Sequence, residues 1–350
     1  MIYCCLWIVA FSGRFISYSF GLFVFWVVLI TVFFIFTIVS GYRDIERAKI
    51  YPPAKFDKSY AYVLIISLHV VLIGLIRTQN LPLTDNINFF VVSSPSMEPG
   101  LYLGDRVAVE KSKSIQRGDI TVLWFPDDTT TAYVERCIGM PGDSLRIDSN
   151  RVIINNTAVA EQPLKFSYLV KTDGTRFSPR ILENFHVGSY LQINSSTYRF
   201  MLTDDELKQL KTMKIVKNVE RFINANGTPG PVYPGVNYLD WNSHFYGPVY
   251  IPKKGDKIQL TEFNKDLYIK CIQFENTRVS RDKKRLWVNG QAITEYTFQD
   301  NYYFMMGDNR DNSFDSRFWG FVPEKLIIGK GLYIYWGNTR DRIGKELTIH

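Results

Sequence analysis

Two uncharged apolar runs constrain this chain more than any other feature. Residues 15–42 form 28 consecutive positions without a charge, and residues 59–76 form 18 more. A helix of about 20 apolar residues crosses the hydrocarbon core of a bilayer, so the first run is ample and the second sufficient. The first run is too long for a cleaved leader, and no small-x-small site follows it. The chain is therefore expected to be membrane-anchored through two transmembrane helices. Everything beyond residue 76 is polar and globular in character, within a total of 350 residues.

Charge gives the orientation. Arg43, Arg47, Lys49, Lys55 and Lys58 crowd the linker between the runs, whereas Arg14 alone precedes the first and Arg77 closely follows the second. The excess of basic residues places residues 43–58 in the cytoplasm, with the N-terminus and everything after Arg77 on the other side. The net charge of +7 suits anionic headgroups or a scattered solvated surface. No basic run with interleaved aromatics argues for nucleic acid. Four isolated histidines and four cysteines outside any Cys/His spacing imply no metal, and no cofactor is expected.

The polar part reads as mainly β: short runs rich in β-formers separated by Gly-Asp and Pro-Gly turns. Leu101–Val109, Ile120–Pro126, Ala132–Ile138, Ser144–Ile147 and Arg151–Asn156 all fit this pattern. One helix is clear, where Thr203 and Glu206 form a capping box ahead of Leu207, Leu210 and Met213. Arg117-Gly118-Asp119-Ile120 before Tyr133–Ile138 is echoed by Lys254–Ile258 before Tyr268–Ile272. The matched Cys137 and Cys271 raise the hypothesis of a disulfide in an extracytoplasmic domain.

Three stretches carry chemistry. The first is Val91-Val92-Ser93-Ser94-Pro95-Ser96-Met97-Glu98-Pro99-Gly100-Leu101, a strand running into a two-proline turn. On its own it is also an ordinary Ser/Pro loop. The second is Tyr133-Val134-Glu135-Arg136 and its continuation through Met140-Pro141-Gly142-Asp143. The third is the long polar run Met306-Gly307-Asp308-Asn309-Arg310-Asp311-Asn312-Ser313-Phe314-Asp315-Ser316-Arg317-Phe318-Trp319-Gly320.

In order and rough spacing, these stretches resemble the bacterial type I signal peptidases, serine peptidases that work with a Ser/Lys dyad. The resemblance implies an antiparallel-β catalytic domain, residues 77–156 and 246–350, interrupted by an inserted domain, residues 157–245. It implies a multi-pass protein of the bacterial cytoplasmic membrane whose catalytic domain lies outside. Its partners would be the lipid bilayer and the signal peptides of exported preproteins, cut after a small residue. The family's nucleophile falls on Ser96 and its oxyanion hydroxyl on Ser94. The substrate would add as a strand between Asn88–Pro95 and Ala132–Glu135, with Phe90 and Val92 lining shallow pockets. Arg136 would pair with Asp308 and Arg317 with Asp315. Ser313 would hydrogen-bond the base, and Trp319 would be core.

Two positions depart from the family. Gly100 replaces a threonine, which should loosen the turn. Glu135 replaces the lysine that serves as general base. Arg136 cannot substitute, because guanidinium does not deprotonate. Four readings follow: Glu135 itself is the base; Lys270 or Lys111 replaces it; the chain is a pseudoprotease that binds signal peptides or assists an active paralogue; or the substitution inactivates it. A transporter is disfavoured by the lack of intramembrane acids or repeats. A self-cleaving repressor is disfavoured by the two spans and the absence of a DNA-binding signature.

Overall fold

The computed structural model describes residues 86–347, apart from residues 113, 160–162, 179–189 and 277. Both expected membrane spans, the linker between them and the N-terminal segment lie outside the described residues. No helix among the described residues is long and apolar enough to cross a membrane. The chain divides into Met1–Ile87 and Asn88–His350, and the second unit holds nearly all of the described residues.

A seven-stranded antiparallel sheet forms its centre. Strand β1 (Ile87–Val91) neighbours β2 (Arg106–Glu110), followed by Ile327–Trp336, β3 (Ile120–Phe125), β4 (Asp128–Gly139), Tyr302–Met306 and Val322–Pro323. The β-formers of β3 pair with β4 from Ile120 opposite Arg136 to Trp124 opposite Ala132. The strand Tyr302–Met306 joins β4 only at Arg136, Cys137 and Gly139. From Asp128 to Glu135, β4 therefore pairs with β3 alone. The first half of β4 is exposed and its last five residues are buried. Val92, Met97, Leu101, Val107, Val109, Ile120, Val122 and Ile334 fill the core beneath β1 and β2.

A second sheet joins Phe245–Tyr250, Ser144–Asp148, Arg151–Ile154 and Thr157–Ala158. Its alternation is plain in Ser144–Asp148, where Leu145 and Ile147 point inward. Within the inserted stretch, Phe166–Thr172, Tyr190–Gln192, Thr197–Leu202 and Val216–Arg221 make a sheet of their own. Tyr168, Val170, Tyr198, Phe200 and Leu202 face a separate apolar cluster with Leu210 of the helix Asp204–Lys211. That helix carries the expected capping box. The Glu206 N–H donates to Thr203 Oγ1 at 3.2 Å, and the Thr203 N–H donates to Glu206 Oε2 at 2.7 Å. The Pro/Gly segment 226–231 is a loop, held by Asn242, whose amide donates to the carbonyls of Ala225 and Thr228.

The echo between residues 117–138 and 254–272 is not a structural repeat. Lys265–Glu275 is a helix, and its buried Leu267, Tyr268, Cys271 and Ile272 follow helical rather than strand spacing. Cys271 belongs to one apolar cluster, with Tyr302 and Phe298, whereas Cys137 belongs to another, with Leu123, Met305 and Trp319. Both are buried free thiols, so the expected disulfide is not formed. Lys270 sits on this helix with its amine on Asp127, at 2.7 and 2.9 Å, and on the Trp319 carbonyl at 3.2 Å. Lys111 is exposed just beyond β2.

Candidate active site

Beyond β1 the backbone stays extended through Ser94 and then tightens into one 3-10 turn, Pro95–Met97. Pro95 sets the first turn position, where its missing N–H costs nothing. Met97 and Leu101 are fully buried and pin the far side of the turn, and the Leu101 N–H donates to the Met97 carbonyl at 2.8 Å. Ser96, between the proline and this apolar anchor, stays half-buried. Its hydroxyl lies 3.0 Å from that of Ser94.

The turn is held from outside by Asn309. Its backbone N–H donates to the Ser96 carbonyl at 2.9 Å, and its side-chain amide donates to the Pro95 carbonyl at 3.1 Å. The neighbouring Gly307 is required for this approach. A Cβ there would collide with Ser313 and stand 2.6 Å from the Ser96 carbonyl oxygen.

Strand β4 packs beside the turn. Glu135 on this strand is 1% exposed, and its Oε2 has no hydrogen-bond partner among the described residues. Burial pushes its carboxyl well above the ordinary carboxylate range. Asp315 adds to the rise, the Arg317 guanidinium opposes it, and Asp308 raises it further. The Ser313 hydroxyl is buried without a partner too, so the expected hydrogen bond from Ser313 to the residue at position 135 is not made. A glutamate is shorter than a lysine and, when ionised, can only accept.

Two buried ion pairs flank Glu135. Arg136 forms a fork with Asp308, Nε to Oδ1 at 2.7 Å and Nη2 to Oδ2 at 2.6 Å, while its Nη1 donates to the Gly118 carbonyl. Arg317 meets Asp315 in a second fork, at 2.8 and 2.7 Å, and also donates to the Arg310 and Ser243 carbonyls. Asp315 has further work, accepting the N–H groups of Gly307 and Arg317 at the start of the helix Ser316–Trp319. Trp319 is buried, with its indole N–H on the Phe314 carbonyl.

A Cβ at Gly100 would collide with Asp308 Oδ2 and stand 3.2 Å from Arg136 Nη2, so the missing side chain lets the fork close against the turn. Of the residues expected to line substrate pockets, Phe90 is half-buried and Val92 lies within the core. Sequence reasoning assigned no role to Asn309, although it lies inside the recognisable polar run. It also missed Glu98 and Lys165, which form a buried ion pair at 3.1 Å with no local sequence signal.

Comparison with known proteins agrees with this architecture. The sequence profile of the family described as signal peptidase, peptidase S26, matches residues 60–217 and 251–336. Signal peptidase I of Buchnera aphidicola subsp. Baizongia pistaciae is 28% identical over 269 residues, covering 70% of this chain and 68% of that protein. Signal peptidase I of Aquifex aeolicus is 26% identical over 267 residues, covering 73% of this chain and 78% of that one. A segment of 52 residues is 56% identical to signal peptidase I of Haemophilus influenzae, covering 15% of each chain. With a hydroxyl pair on the turn after β1 and family similarity across most of its length, the chain belongs to the signal peptidase family of serine endopeptidases, peptidase S26.

Proposed function

We propose that this protein is a signal peptidase I that removes N-terminal signal peptides from exported preproteins after a small residue, with Ser96 as nucleophile. The observation that carries the reading is the Ser94–Ser96 hydroxyl pair at 3.0 Å on a turn packed beside β4, the strand that bears the buried carboxyl of Glu135. The names of the relatives supply the substrate class.

In this reading the substrate backbone pairs with β1, an edge strand, and with the part of β4 that β3 alone pairs. Ser96 Oγ attacks the scissile carbonyl and its proton passes to the Glu135 carboxylate. The Ser96 N–H and the Ser94 hydroxyl receive the oxyanion. The proton then goes to the leaving amine, and water releases the acyl group from Ser96. A carboxyl held above its ordinary range of about 4.3 is a stronger base than an exposed one, and this suits Glu135 to the role. Lys270 does not suit it, because its amine is already engaged by Asp127. Ser313, Arg136, Asp308, Asp315 and Arg317 are scaffold around the carboxyl. Nothing in the comparisons favours the binding-only reading.

The placement that goes with this function is a multi-pass protein of the bacterial cytoplasmic membrane. Residues 15–42 and 59–76 span it, and the unit from Asn88 onward lies outside. The charge of the 43–58 linker supports that orientation.

The test is a cleavage assay with the full-length protein in detergent and a preprotein bearing an Ala-x-Ala site. Wild type is expected to cut, Ser96→Ala to lose the activity and Glu135→Gln to lose most of it. Equal cleavage by wild type and Ser96→Ala overturns the assignment of the nucleophile. Full activity in Glu135→Gln overturns that of the base.

A further inference from the structure

Lys165 lies in the inserted stretch, 69 positions beyond Ser96 in the numbering. It is nevertheless 1% exposed and sits against the nucleophile turn. Its amine is 3.1 Å from Glu98 Oε2 and 3.5 Å from Glu206 Oε1. Glu98 closes the Ser96 turn by donating its own N–H to the Pro95 carbonyl at 3.2 Å. Glu206 is the capping-box residue of the helix Asp204–Lys211, and its other carboxylate oxygen is committed to the Thr203 N–H. A buried ammonium between two buried or half-buried carboxylates is fixed in place, since moving it would strand charge away from water.

The backbone of the same residue holds the other side of the turn. The Lys165 N–H donates to the Asp308 carbonyl at 3.0 Å, and the Arg310 N–H donates to the Lys165 carbonyl at 3.0 Å. Lys165 thus forms a parallel bridge with Asn309, the residue that holds the Pro95 and Ser96 carbonyls. The contacts close a ring. They run from the turn to Asn309, along the Lys165 backbone, through the Lys165 amine to Glu98, and back to the turn. Two residues on, the Ser167 N–H donates to Asp311 Oδ2 at 2.8 Å and continues the seam.

We propose that Lys165 is a positioning residue for catalysis: it fixes the turn bearing Ser96 from both sides and makes the inserted sheet part of the catalytic geometry. The inference rests on Ser96 being the nucleophile. It predicts an effect on the chemical step rather than on substrate binding, because the substrate-facing edges of β1 and β4 do not involve Lys165. An ångström of misplacement at a nucleophile is enough to cost on the order of 100-fold in rate.

The experiment compares wild type, Ser96→Ala, Lys165→Met, Lys165→Arg, Glu98→Gln and the Lys165→Met/Glu98→Gln double variant in the full-length protein. It measures kcat and KM on a preprotein, the folded fraction, and hydrogen exchange at the Asn309 amide. Lys165→Met is expected to lower kcat by about 10- to 100-fold with KM within about twofold. It is also expected to lose protection at Asn309. Lys165→Arg should recover part of kcat. The double variant should fall little below Lys165→Met, as members of one unit do. If Lys165→Met folds poorly, Glu98→Gln still cuts the ring on its other side and should lower kcat alone. A kcat loss matching the lost folded fraction, a change confined to KM, or additive single effects would overturn the proposal. An active wild type with normal kcat in Lys165→Met and Glu98→Gln overturns it while leaving the nucleophile intact. Equal rates in wild type and Ser96→Ala remove the nucleophile assignment, and this proposal with it.

Discussion

Arg136 and Asp308 stand 172 residues apart in sequence and meet in a buried two-bond fork, at 2.7 and 2.6 Å. The fork ties β4 to the strand-end that leads into Asn309, so one ion pair sets the distance between Glu135 and the support of the Ser96 turn. Removing one partner leaves an uncompensated buried charge. Asp308→Ala is expected to destabilise the unit by about 3–5 kcal/mol. The Arg136→Met/Asp308→Leu double variant should cost less than the sum of the single changes. Urea unfolding of Asp308→Ala, of Arg136→Met and Asp308→Leu singly, and of the double variant measures both.

Gly100 gives a sharper test of packing at the same place. Gly100→Thr introduces the residue type expected from the resemblance, and its Cβ would collide with Asp308. Overpacking of this kind typically costs about 1–3 kcal/mol. A lower Tm and a lower kcat are expected together, and a variant as stable as wild type would show that the fork can retreat.

Glu135 makes stability depend on pH with a definite sign. Its folded carboxyl is raised, so the folded state keeps a proton that the unfolded chain gives up near the ordinary value of about 4.3. Its contribution is therefore present in full below that value and declines as pH rises towards the folded value. With Glu135 as the proposed base, catalysis runs the other way, because only the ionised carboxyl accepts the serine proton. Wild type is expected to lose stability and gain kcat over the same rising limb. Glu135→Gln should flatten that part of the stability profile. Glu135→Lys should move the activity limb to the pH at which a buried amine deprotonates.

Cys137 and Cys271 are expected to react as two separate buried thiols. Burial pushes both thiols up, which leaves little thiolate for reaction. Both should resist alkylation in the folded protein, label fully in denaturant, and leave gel mobility unchanged by reductant.

Much of this architecture is legible in the sequence because short, alternating runs punctuated by Gly-Asp and Pro-Gly turns have few other solutions. The capping box at Thr203 and Glu206 is legible for the same reason, since donor and acceptor sit three residues apart on one chain. The stretch Lys265–Glu275 misled because it was read by analogy with Tyr133–Ile138. Its apolar positions repeat at helical spacing, and the matched cysteine was coincidence. The site divides along similar lines. Ser96 and the polar run could be found by their order along the chain. Lys165 could not, because its partners Glu98, Asp308 and Arg310 are distant in sequence and only the packing of the inserted sheet brings them together. Nor could the unpaired state of Ser313, which depends on how far a glutamate reaches from β4.

The hold of Asn309 on the Pro95 and Ser96 carbonyls bears on the timing of synthesis. The serine turn, β4 and the inserted sheet all leave the ribosome before the segment that braces them. A chain interrupted between Glu135 and Asn309 carries Ser96 and Glu135 but leaves two carbonyls of the turn unheld. If Ser96 is the nucleophile, activity is thereby deferred until most of the protein has been made, and an incomplete copy is expected to be a poor peptidase.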